Sequence, residues 1–89
     1  MLVLPVDLTR NQANACLKML LQGLQSEPGP VVVVDATALN RFDSAALAVL
    51  LECRREGLHL GKRVAIRAMP QGLRDLAGLY GIAELLPAA

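Results

Sequence analysis

Short apolar runs alternate along this chain with stretches in which apolar residues recur every three or four positions, and that alternation predicts strands separated by helices. The opening segment, MLVLPVDLT, reads as a strand, with Pro5 favouring an edge or a bulge because it offers no N–H to a ladder. From Asn11 onward, Ala13, Cys16, Leu17, Leu20, Leu21 and Leu24 form one stripe at helical spacing, and SEPGP ends that helix. The valines from Val31 to Val34 are consecutive and β-branched, which predicts a strand covered on both faces and closed by Asp35. After a short polar connection, Asp43 or Ser44 stands at the N-cap of a second helix that carries Leu47, Leu50 and Leu51 and runs to about Glu56. Arg54 and Arg55 complement the negative end of that helix, and Gly57 is placed for a left-handed C-cap. Lys62 to Ala68 predicts a further strand, broken by Met69-Pro70. Gln71 to Tyr80 then predicts a helix with Leu73, Leu76, Ala77 and Tyr80 on one stripe, closed by Gly81. The resulting βαβαβα order favours an α/β fold with crossover helices on a mostly parallel sheet.

Length changes this picture little: 89 residues suit one domain, 1–89, and no repeat, low-complexity stretch or long linker divides it. Apolar residues make up 54% of the chain, yet no unbroken apolar run approaches the roughly 20 residues that span a bilayer. A soluble protein with an apolar surface or a partner is expected, and with no signal-peptide pattern at the start a cytoplasmic one. The net charge of +1 argues against a nucleic-acid binder. Arg54, Arg55, Lys62, Arg63 and Arg67 nonetheless outweigh Glu56 locally; they suit a solvated helix end and strand, or contact with anionic headgroups or an acidic partner.

Candidate chemistry is sparse. Cys16 and Cys53 are far apart in sequence, form no CxxC pair and fall in predicted helices, as small residues in or near a reduced core do. His59 stands alone, beside a helix terminus, so no metal site is expected. Asp7, Asp35 and Asp43 fall near strand ends, but no histidine accompanies them at a spacing that suggests a triad. Without a GxGxxG or Walker sequence no nucleotide cofactor is expected either, and no residue is expected to be catalytic.

What remains is the turn from Asn40 to Ala45, where a hydroxyl lies at the positive end of a helix. Asp43-Ser44 could be a plain helix cap, worth about 1 kcal/mol. Phe42, the only phenylalanine, could staple onto the following helix or anchor an interface. The run RFDSAALAVLLECRREG resembles the STAS domain family, in which strand, loop, Asp-Ser or Asp-Thr, a small residue and a Leu-rich helix succeed one another. Asp7 in LPVDLT resembles the acidic residue ending the family's early strand, and LRDLAGLYGIAELLP resembles its final helix and tail. The chain departs from the family pattern at Leu4-Pro5 and Ala46, and it enters that pattern after the family's usual first strand.

The resemblance covers nearly the whole chain. It implies a small STAS-like domain with a mixed, mostly parallel sheet and helices packed on it, and two alternative roles. In the first, the chain resembles short stand-alone members that bind and stabilise the ATP-binding subunit of an ABC-type phospholipid transporter maintaining outer-membrane lipid asymmetry. Asn40, Arg41, Phe42, Asp43, Ser44 and Ala45 would contact that subunit, with Asp7 as a supporting acidic residue. The protein would then be cytoplasmic and peripheral to the inner membrane only through its partner. In the second, it would be an anti-sigma-factor antagonist whose Ser44 is phosphorylated by an anti-sigma kinase, adding roughly −1.5 to −2 charges. The short length and apolar composition favour the permanent subunit, because obligate interfaces are the more hydrophobic ones.

Overall fold

Pro5 cuts the first predicted strand in two. The computed structural model describes all 89 residues and places β1 at Leu2–Val3 and β2 at Asp7–Leu8, on either side of that proline. The two pieces pair with different partners. Leu2 and Val3 lie beside Val34 and Asp35 of β3 (Val31–Asp35), whereas Asp7 and Leu8 lie beside Arg41 and Phe42 of β4 (Arg41–Phe42). With α1 (Arg10–Ser26), α2 (Ser44–His59), β5 (Arg63–Arg67) and α3 (Gln71–Leu79), the order is ββαββαβα rather than βαβαβα. The larger sheet runs β1-β3-β5 and the smaller β2-β4, and every pairing is parallel.

A single cluster of buried side chains lies between the helices and one face of the larger sheet. Val32 and Val34 of β3 and Val64 and Ile66 of β5 are buried, while Val31 is 51% exposed and Val33 and Ala65 are half-buried. The valine run is therefore covered on one face only, against the expectation of two: the buried residues of α1, α2 and α3 all belong to the one cluster that holds Val32 and Val34.

Helix α1 begins at Arg10, one residue before the sequence pattern placed it. Gln12 Oε1 accepts from the Thr9 amide at 2.9 Å and the Thr9 hydroxyl at 2.7 Å, which fixes the first turn. Leu20 and Leu24 are fully buried, with Cys16 beside them and Ala13, Leu17 and Leu21 flanking. Helix α2 continues through Gly57 to His59. Gly57 is not a C-cap: it is buried and helical, and a Cβ there would come within 2.8 Å of Val64 Cγ2, so the glycine lets helix and strand approach. The left-handed residue is Gly61, at φ +71°. In α3, Leu73 and Ala77 are buried and Leu76 is half-buried, but Tyr80 lies past the helix end and is 58% exposed, so it does not belong to the core stripe.

Both cysteines are free and buried in the α1–α2 interior. Burial, and secondarily the negative charge Cys16 would carry, pushes the Cys53 thiol up to about 11. Thiols held protonated in this way are inert packing groups.

Candidate functional site

The β2–β4 pairing brings the start of α1 to the start of α2. The amides of Asn40 and Arg41 both donate to the Val6 carbonyl, at 2.8 and 3.0 Å, so the connection after β3 folds back onto the chain entering α1. Asp7 and Arg41 become neighbours across the ladder, although no ion pair joins them.

Asp43 occupies the junction. Its backbone is extended, with φ −134°, and Oδ1 accepts from the Ala45 amide at 2.8 Å while its carbonyl accepts from the Ala46 amide at 3.0 Å. These bonds make Asp43 the N-cap of α2. Oδ2 turns the other way and accepts from the Arg10 amide, the first of α1, at 3.1 Å. One carboxylate thus faces the positive ends of a 17-residue and a 16-residue helix. A groove of about 390 Å³ lies here, lined by Thr9, Arg10 and Asn11 from one helix start and by Asp43, Ser44, Ala45 and Ala48 from the other.

The choice left open between Asp43 and Ser44 as cap is thereby resolved. Ser44 is the first residue of α2; it is exposed, and its hydroxyl bonds to no other group of the protein. Ala48, one turn on, is also exposed, and Ala45 between them is half-buried. Asn40 and Arg41 are exposed, whereas Phe42 is half-buried and its ring edge faces Gly72, where a Cβ would lie 3.2 Å from Phe42 Cζ. The phenylalanine thus reaches α3 as well as packing against the buried cluster to which α2 contributes Ala46, Leu47 and Leu50. Asp7 is half-buried behind Arg41.

Of the residues expected from the sequence, Asp43, Ser44 and Ala45 line the groove and Asn40, Arg41, Phe42 and Asp7 do not, while Thr9, Arg10, Asn11 and Ala48 line it without having been expected. The Thr9-x-x-Gln12 capping pattern marks the start of α1 but carries no sign that this start lies beside Asp43, 33 residues from Arg10.

The other candidate groups have local partners. Asp35 Oδ1 accepts from the Thr37 hydroxyl at 2.5 Å and the Thr37 amide at 3.0 Å; the hydroxyl first, then the amide, hold the carboxyl below its ordinary range. Arg55 pairs with Glu52 at 2.8 Å, and Lys62 Nζ donates to the carbonyls of Glu27 and Gly29, so part of the basic run is engaged within the protein. His59 is exposed at the end of α2. No cluster of three or more His, Cys, Asp or Glu side chains is placed to hold a metal ion, and no helix is long and apolar enough to cross a membrane.

Comparison with models of protein families matches residues 1–87 to the family described as "Mlab, STAS domain". The match takes in nearly every residue of the chain and both sides of the groove. No curated protein matches the chain.

Proposed function

We propose that this chain, which belongs to the Mlab STAS domain family, acts by protein–protein contact rather than catalysis, as the cytoplasmic STAS subunit of an ABC-type phospholipid transporter. As one domain spanning 1–89, it binds and stabilises the ATP-binding subunit and reaches the inner membrane only through it. The contact surface is the start of α2 and the segment before it, Asn40 to Ala45, with Asp7 in support and the start of α1 alongside.

The observation that carries this reading is the Ser44 hydroxyl. A serine beside a helix start is ordinarily explained by capping, but here Asp43 caps the helix and Ser44 has no bond to lose. It projects to solvent together with Ala48, and small exposed residues on one helical face allow a partner's backbone to approach closely.

The same free hydroxyl is what a kinase would need, which keeps the anti-sigma antagonist as the second reading. The structure disfavours a phosphate gaining much from the helix end, because the Ala45 and Ala46 amides already bond to Asp43 and its carboxylate stands next door. Phosphorylation would act by repelling a partner rather than by ordering the turn.

Affinity purification of the tagged protein from its native cell, with mass spectrometry of its partners and of the Ser44 peptide, separates the two. An ABC ATPase recovered with unmodified Ser44, and lost when Ser44→Arg is used as bait, is the expected result. Recovery of a kinase-like partner with phosphorylated Ser44 replaces the first reading with the second. An ATPase retained equally by Ser44→Arg moves the contact surface elsewhere.

A further inference from the structure

Strand β5 has two edges, and they are closed in different ways. Toward β3 the pairing runs the full length of the strand; the Arg63 amide donates to the Pro30 carbonyl at 2.7 Å and the Arg67 carbonyl accepts from Ala36 at 2.8 Å. Alternation along a strand therefore turns the Ala65 amide toward β3 and the Val64 and Ile66 amides outward. The outward edge is met by the segment after α3. Ile66 donates to the Pro87 carbonyl at 2.8 Å, and Ala89 donates back to the Ile66 carbonyl at 2.9 Å, a single parallel bridge.

Little else holds that segment. Beyond the left-handed turn at Gly81, Ala83–Leu85 makes a short 3-10 turn, and every residue from Ala83 to Ala89 is exposed except Leu86, which is 5% exposed and joins the core. The segment is not packed flush against α2 either. A cleft of about 160 Å³ separates Glu84, Leu85 and Pro87 from Arg54 and Leu58, with Val64 at its base.

We propose that residues 83–89 form a strap that opens and recloses over β5 while the rest of the fold stays intact, baring the outer edge of the strand at Val64 and Ile66. Apart from the contact of its short turn with α3 and the part-covered Leu85, the segment is held by two backbone hydrogen bonds and the Leu86 side chain, whereas the β3–β5 ladder is paired along its whole length and opens with the core. This inference is independent of the transporter reading, since it involves neither Ser44 nor the groove at the helix starts.

Amide hydrogen exchange on the full chain, measured residue by residue at increasing sub-denaturing urea, tests it. The Ile66 amide is expected to be at least about tenfold less protected than the Ala65 amide next to it, with a rate almost independent of urea, while Ala65 exchange accelerates steeply. In Leu50→Ala, which weakens the core away from the strap, Ala65 protection should fall and Ile66 protection should hold. Equal protection and equal urea dependence at Ile66 and Ala65 in the wild-type chain would overturn the proposal, and so would a parallel fall at both in Leu50→Ala.

Discussion

Replacing Asp43 tests the architecture of the site most directly, because one side chain holds two helix starts. In Asp43→Ala both carboxylate bonds disappear, the 2.8 Å bond from Ala45 and the 3.1 Å bond from Arg10. Loss of an N-cap costs about 1 kcal/mol, within a range of roughly 0.5–2. The second bond joins an exposed amide to an exposed carboxylate, so its contribution falls below the roughly 1.5–3 kcal/mol of buried charged hydrogen bonds, at about 1 kcal/mol. Together they predict a loss of about 2 kcal/mol, which in a domain of this size lowers Tm by roughly 10 °C. Asp43→Asn separates the two contributions. Its carbonyl oxygen can replace Oδ1 and keep the α2 cap, but its amide nitrogen cannot accept from Arg10, so about half the loss is expected. Urea unfolding followed by circular dichroism, with Tm as a second measure, gives both numbers. If Asp43→Ala and Asp43→Asn each lie within about 0.5 kcal/mol of the wild type, the carboxylate does not hold the helix starts together and the account of the groove fails.

The other predictions concern the interior. Leu50 is fully buried, so Leu50→Ala should cost about 2–5 kcal/mol in urea unfolding; a change below 1 kcal/mol would show that this face of α2 is misread. Two helical glycines should respond in opposite directions. Gly57→Ala brings a methyl to 2.8 Å from Val64 Cγ2 and should destabilise by roughly 1–3 kcal/mol, offset in part by better helix propensity, whereas Gly78→Ala meets nothing within 4 Å and should stabilise by roughly 0.5 kcal/mol. The same sign for both would refute the close approach of α2 to β5. The Cys53 thiol is raised in the folded state from 9.0 to about 11, so the folded protein holds that proton more tightly than the unfolded chain. Its contribution is fully present below about pH 9 and is lost as pH rises through about 11. Stability measured across that window should fall less steeply in Cys53→Ala than in the wild type, and identical slopes would place the thiol in a less buried setting than the structure shows.

The sequence by itself determined the elements whose signals are local. Apolar residues every three or four positions specify α1, α2 and α3, because a helix satisfies its own backbone and needs only one apolar stripe. Strand β3 was legible from its run of valines and β5 from the alternation of Val64 and Ile66 with their neighbours, and Gly81 and Pro70 from backbone preference alone. The segment 40–45 could be named as a candidate surface because a polar turn between an apolar strand and a helix start is visible in one dimension.

Tertiary structure decided what depends on residues distant in the chain. Strands of two residues, such as β2 and β4, have no periodicity to read; they exist because their ladder partners are supplied from 34 residues away, as Asp7 meets Arg41. Gly57 looked like a helix stop by local preference, yet the passage of Val64 made it a packing residue and moved the left-handed turn to Gly61. Covering the valine run on both faces would have needed helices on both sides of the sheet, and a periodic pattern states that a face is apolar without stating what lies against it. The division of labour between Asp43 and Ser44 belongs to the same class. Both residues can cap a helix; in the fold Asp43 Oδ1 takes the cap, Oδ2 accepts from the Arg10 amide brought in by α1, and the serine hydroxyl bonds to no protein group.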